Sequence, residues 1–133
     1  MCSSDLMVEK VNTSKAPAAI GPYSQGIRSG NFLFTSGQIP LSEETGEVIG
    51  TEITEQTKQV LQNLKAVLEA GGSSLNSVLK TTCFLASMAD FAAFNKVYSE
   101  FFAEKPARSC IAVKELPKRV LVEVEAVAEV IGG

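Results

Sequence analysis

The chain has 133 residues, 12 Lys and Arg against 15 Asp and Glu, three cysteines and no histidine, a size at which one domain buries a core of its own. A net charge of −3 with no basic run argues against a phosphate-tracking surface, so nucleic acid is not an expected partner. No apolar run nears the ~20 residues of a membrane span and the N-terminus lacks a basic and apolar signal, so the expectation is a soluble, cytoplasmic protein away from membranes.

In chain order, "MVEKVN" reads as a short strand, and "SQGIRSGNFLFTSGQ" as two strands about a Ser29-Gly30-Asn31 turn. A loop carrying Pro40, Gly46 and Gly50 leads to a helix. Its apolar positions Ile53, Val60, Leu61, Leu64, Val67 and Leu68 recur at helical spacing until Gly71 and Gly72 stop it. "NSVLKTTCFLAS" is β-branched and apolar, hence a strand. Ser87 to Asp90 has the form of a capping box before a second apolar stripe, Phe91, Phe94, Val97, Tyr98, Phe101 and Phe102. "ARSCIAV" and "RVLVEVEAVAEVI" are the last strands. The pattern predicts an α+β domain over residues 7–133, two helices on one face of a sheet, with residues 1–6 an added leader ahead of Met7.

The final strand sends Val120, Val122, Val124, Ala126, Ala128 and Val130 to one side and Leu121, Glu123, Glu125, Val127, Glu129 and Ile131 to the other. The first side is wholly apolar and calls for the helices. The second mixes carboxylates with large apolar groups, a pattern that a subunit contact reconciles, and it predicts a homo-oligomer that covers the helix-free face.

Without histidine there is no Ser-His-Asp or Cys-His arrangement and no imidazole-based metal site. Cys2, Cys83 and Cys110 are too far apart for a CxxC pair and are expected as free thiols, with no metal. Chemistry must then fall to carboxylates, Arg, Lys, Tyr, thiol, backbone or water. In "ARSCIAV" the two-residue period puts Arg108 and Cys110 on one face and Ile111 on the other. Spacing alone leaves Arg108 as a surface residue, a partner for a Glu, or an anion anchor. A local hairpin of the last two strands sets Cys110 opposite Glu123, although the connection does not fix register. Glu123 and Glu125, roughly 7 Å apart along one strand face, are either solvated acids or, where desolvated together, a proton carrier. Tyr23 in "IGPYSQG" and Gly37 in "TSGQIP" are turn residues or the edge of a ligand site. Cys110 as a nucleophile beside Arg108 lacks the usual general base. No Gly-rich spacing followed by Lys makes a phosphate loop.

The segments "APAAIGPYSQG" (residues 16–26), "TSGQIP" (35–40), "PARSCIAV" (106–113) and "LPKRVLVEVEAVA" (116–128) together closely resemble the RidA (YjgF) family of enamine/imine deaminases. The resemblance runs from Met7 to Ile131. It implies a chorismate-mutase-like fold with a mixed six-stranded sheet. It also implies that the last strand lies inside the sheet beside the 31–38 strand, against the local hairpin. It implies a homotrimer with sites between subunits and no cofactor. By this likeness Arg108 anchors a substrate carboxylate, Glu123 positions water, Cys110 lines the site, Tyr23 reaches in from a neighbouring subunit, and Ser36 with Gly37 forms the backbone edge. The implied reaction is hydrolysis of 2-imino acids, 2-iminopropanoate and 2-iminobutanoate, to 2-oxo acids and ammonia. Two other classes stay open: a regulator that binds 2-oxo acids or amino acids through Arg108 without turnover, and a chaperone-like or RNA-cleaving translation inhibitor. The acidic balance disfavours the RNA-cleaving form of the last.

Overall fold

The computed structural model describes residues 8–131; the expected leader, residues 1–6, lies outside them. Among the described residues are six strands: β1 (Val8–Val11), β2 (Gly26–Ser29), β3 (Phe32–Thr35), β4 (Val78–Leu85), β5 (Ala107–Ala112) and β6 (Val122–Glu129). Helix α1 (Ile53–Ala70) precedes β4, and α2 (Phe91–Phe101) joins β4 to β5. The type and order of every element match the sequence reading.

The sheet runs β1-β2-β3-β6-β4-β5, antiparallel throughout except for the parallel β4/β5 pair. The local hairpin of the last two strands is therefore wrong. Cys110 pairs with Cys83, Glu123 pairs with Phe84, and β4 lies between. The cause is non-local. A helix crossover through α2 lays β5 parallel to β4 on its outer side. The inner slot between β3 and β4 goes to β6, whose apolar side is the most continuous in the chain.

Helix α1 forms because its apolar stripe fits one face. Val60, Leu61, Leu64, Val67 and Leu68 are fully buried, and the chain leaves the helix through Gly71 and Gly72, the latter left-handed at φ 85. The start of α2 departs from the expected capping box. The Ser87 hydroxyl accepts from the Ala89 N–H at 3.1 Å, and a 3₁₀ turn, Met88–Asp90, precedes the helix proper. Strand β6 begins at Val122 rather than Arg119, because Lys118 and Arg119 both adopt left-handed φ, 55 and 57, incompatible with a ladder. The Leu121 N–H donates to Gln56 Oε1 at 2.7 Å and ties this corner to α1.

Both helices pack on one side, where Val122, Val124, Ala126 and Ala128 are buried as expected. No helix among the described residues packs on the opposite side, where Phe32, Phe34 and Ile111 are 44%, 45% and 49% exposed.

Leu33 is wholly buried where the sheet meets the end of α1; a Cβ on Gly71 would come within 2.6 Å of its Cδ2. Leu33→Ala leaves a cavity under that corner and is expected to lower unfolding free energy by about 2–5 kcal/mol, read as a lower urea midpoint at unchanged slope.

Candidate functional site

Two surface features hold the residues singled out from sequence, and they lie on different sides of the sheet. The first is a cavity of about 600 Å³ whose lining includes Tyr23, Ser36, Gly37, Lys118, Glu123 and Glu125. Its floor is a bulge. Phe34 pairs with Val127 and Gln38 with Val124, so four steps on one strand answer three on the other, and the extra residue falls at Ser36–Gly37. Ser36 is fastened by its N–H to Gln25 O at 2.9 Å and by its hydroxyl to Ser24 O at 2.6 Å. Gly37 has no side chain because none fits. A Cβ there would collide with the Glu123 carboxylate, lying 2.8 Å from its Cδ. The absent methyl is what lets Glu123 lie down on the backbone at the cavity edge.

Glu123 is half-buried and its carboxyl is pushed above the usual carboxylate range, first by desolvation and then by the charge of Glu125 two residues along the same face.

Gln25, which sequence reasoning passed over, builds the cavity's other wall. It is buried, its Oε1 accepts from Thr13 N–H at 2.6 Å, and its Nε2 donates to Thr13 O, Ala16 O and Pro17 O at 3.1, 3.3 and 2.7 Å. One amide thus does the work of a strand for a segment without one. A lone Gln next to the first residue of a strand carries no periodic signal, and only the three-dimensional loop shows its role.

The second feature surrounds Arg108. The pairing rows run Ala126–Thr81–Arg108 and Val124–Cys83–Cys110 on the helix side, and Glu123–Phe84–Ile111 on the open side. Paired residues share a face. Arg108 and Cys110 therefore look one way, as read from sequence, but Glu123 looks the other, and the two Cα atoms are roughly 14 Å apart from strand spacing and rise. Arg108 donates through Nη1 to Asn95 Oδ1 at 2.6 Å, and its Cζ lies over the Tyr98 and Phe91 rings, 4.8 and 5.5 Å from their centroids. Among the described residues the one ion pair is Arg28–Glu9, at 3.8 Å, so the Arg108 guanidinium has no carboxylate partner. The reading of Arg108 as a partner for a Glu finds no such pair among the described residues. A hollow of about 570 Å³ opens beside it.

Cys110, expected to line the site, is among the lining residues of neither cavity, although it shares the face of Arg108 on β5. Burial pushes its pKa up, and the opposing pull of Arg108 is the smaller effect. Cys83 beneath it is pushed up to about 12 by burial, despite a contact with Thr81 that acts the other way.

The Endoribonuclease L-PSP family model matches residues 13–130. A RutC family protein of Pyrococcus horikoshii is 55% identical over 92% of this chain and 98% of its own. The 2-iminobutanoate/2-iminopropanoate deaminase of Escherichia coli is 47% identical over 92% of this chain and 98% of its own. Among solved structures, the E. coli YjgF gene product superposes with a TM-score of 0.87 at 46% identity, and E. coli TdcF, solved with bound serine, with 0.87 at 43%; each covers 91% of this chain and 98% of that one. A family match across nearly all the described residues, on the fold that the pairing register defines, makes this chain a member of the Endoribonuclease L-PSP family, that of the YjgF and RidA proteins.

Proposed function

We propose that the protein hydrolyses 2-imino acids, the tautomers of 2-enamines such as 2-aminoacrylate, to 2-oxo acids and ammonia in clefts between the subunits of a homotrimer. The observation that carries the reading is the unpaired Arg108 guanidinium on the opposite side of the sheet from an acid-lined cavity. Each is half of a site, and an apolar, uncovered sheet face supplies the surface on which copies pack. The E. coli relative named as a 2-iminobutanoate/2-iminopropanoate deaminase and the small amino acid bound in TdcF support the substrate class.

In the assembled cleft, Arg108 of one subunit grips the substrate carboxylate through a bidentate fork. Tyr23 and the Ser36–Gly37 backbone of the neighbour close over the imine. Glu123 accepts a proton from a water as its oxygen bonds to C2, and the C=N electrons pass to nitrogen. Glu123 then returns the proton to that nitrogen; as the C–N bond breaks and ammonia departs, the C2 hydroxyl gives its proton to the Glu123 carboxylate and its electrons close the C2=O bond of the ketone. A protonated imine is already electrophilic, so holding it against an oriented water supplies most of the gain. The raised pKa of Glu123 suits it to this exchange. Two carboxylates at the cavity wall, Glu123 and Glu125, would repel a phosphodiester, which weighs against RNA cleavage at the same place.

When a dehydratase generates 2-aminoacrylate in situ, added protein is expected to speed loss of the imine, and Arg108→Ala to abolish the acceleration. Binding of a 2-oxo acid with no acceleration would replace the enzyme by a sensor. Mixing subunits separates an interchain from an intrachain site. Arg108→Ala and Glu123→Gln proteins, each inactive alone, are expected to regain activity when unfolded and refolded together, since about a quarter of the interfaces in a random one-to-one mixture are intact. No recovery would place both residues in one chain's site and end the model. Glu123→Gln also has a stability signature. A carboxyl whose folded pKa is raised stabilises the fold only below its ordinary pKa, and that contribution is lost as pH rises through the folded value. The Gln variant is expected to melt higher than the parent at neutral pH, with the gap closing on acidification to below the usual carboxylate range, as followed by thermal scans across pH.

A further inference from the structure

Arg108 is held by more than its own backbone. Its Nη1 donates to the Asn95 amide oxygen at 2.6 Å, and its Cζ lies over the Tyr98 ring, 4.8 Å from the centroid. Both partners stand on the same side of α2, three residues apart. The ring is itself immobilised. Tyr98 is buried, its hydroxyl is hydrogen-bonded to Thr81 Oγ1 at 2.7 Å, and the Phe94 and Phe102 rings flank it at 5.5 and 4.6 Å.

The chemistry of these partners is selective. An amide oxygen accepts an N–H without a full negative charge, and a ring face attracts the cation through its quadrupole, so neither neutralises it. A carboxylate in the place of Asn95 would make a stronger bond and would occupy the group that must stay free. Nη1 is the atom engaged; the edge formed by Nε and Nη2 has no hydrogen-bond partner among the described residues, and that edge matches a carboxylate in fork geometry.

We infer that Asn95 and Tyr98 are positioning residues that fix the plane and the free edge of the Arg108 guanidinium for an incoming carboxylate, without touching the substrate's reacting atoms. The inference rests on the deaminase reading for its substrate, but its geometry is readable by binding alone.

The test measures kcat and KM on enzymatically generated 2-aminoacrylate and, separately, the Kd of 2-oxobutanoate as the non-reacting carboxylate. Melting and circular dichroism check that each variant folds. Asn95→Ala is expected to raise KM and Kd about tenfold, the worth of one hydrogen bond to a charged group, while kcat changes less than twofold. Asn95→Asp, of the same size but anionic, is expected to raise both further, because it captures the guanidinium it should only steady. Tyr98→Leu is expected to weaken binding more than Tyr98→Phe, which keeps the ring face. Folded Asn95→Ala and Asn95→Asp proteins with parental KM and Kd would overturn the inference, as would Asn95→Asp binding as well as the parent. If the parent binds 2-oxobutanoate but leaves the imine's decay unchanged, the deaminase reading falls, and the same series of Kd values still decides the role of Asn95 and Tyr98. A parent that neither binds nor turns over defeats both.

Discussion

The pleat of the sheet is the constraint on which the site depends. Successive residues of a strand face opposite ways, and the register of β6 on β4 and of β4 on β5 carries that alternation across three strands without slippage at Glu123 or Arg108. No rotamer brings the guanidinium of one chain to the carboxylate of the same chain through a sheet. The molecule thus presents a cation without an acid on one side and an acidic, glycine-edged cavity on the other. This division is the physical reason for reading the functional unit as an assembly rather than a chain.

Each half is stiffened by the element behind it. On the acidic side a bulge, a glycine without room for a methyl, and a buried glutamine with three carbonyl partners fix a segment that has no ladder of its own. On the cationic side the second helix offers an amide and a ring, with its tyrosine pinned to β4 through Thr81. Both devices place polar groups on rigid supports, at the cost of burying polar atoms that must then all be paired. Among the described residues Thr57 Oγ1 is the buried side-chain polar atom without a partner. It sits in α1, away from either half-site.

Much of this was legible in the sequence, where period and composition act locally. The stripe from Val60 to Leu68 and the alternation from Val122 to Ala128 named a helix and a strand with their buried faces, because packing of neighbours three, four or two residues apart is written in the spacing. Topology was not. Placing β6 between β3 and β4 joins residues about ninety positions apart, such as Leu33 and Ala128, and only likeness to a known family supplied it. The division of the site was hidden for a related reason. Period two assigns Arg108 and Ile111 to opposite faces but does not say which meets the helices, and apolarity would have chosen Ile111. The structure does the reverse: the arginine faces the helices, on an aromatic floor, and Ile111 is half exposed on the open side. Tyr98 was seen as one more apolar position in a stripe, and Asn95 and Gln25 carried no pattern at all.

Strand β5 ends the sheet, and no strand pairs with its outer edge among the described residues. A bare edge of this sort is a template for uncontrolled strand addition, and here it is also the strand that carries the arginine. Docking a sister molecule against it would silence that hazard in the same act that completes a cleft. Selection against fibre formation and selection for a working pocket would then press on one surface, and a lesion loosening the assembly would be felt as insolubility as well as lost turnover.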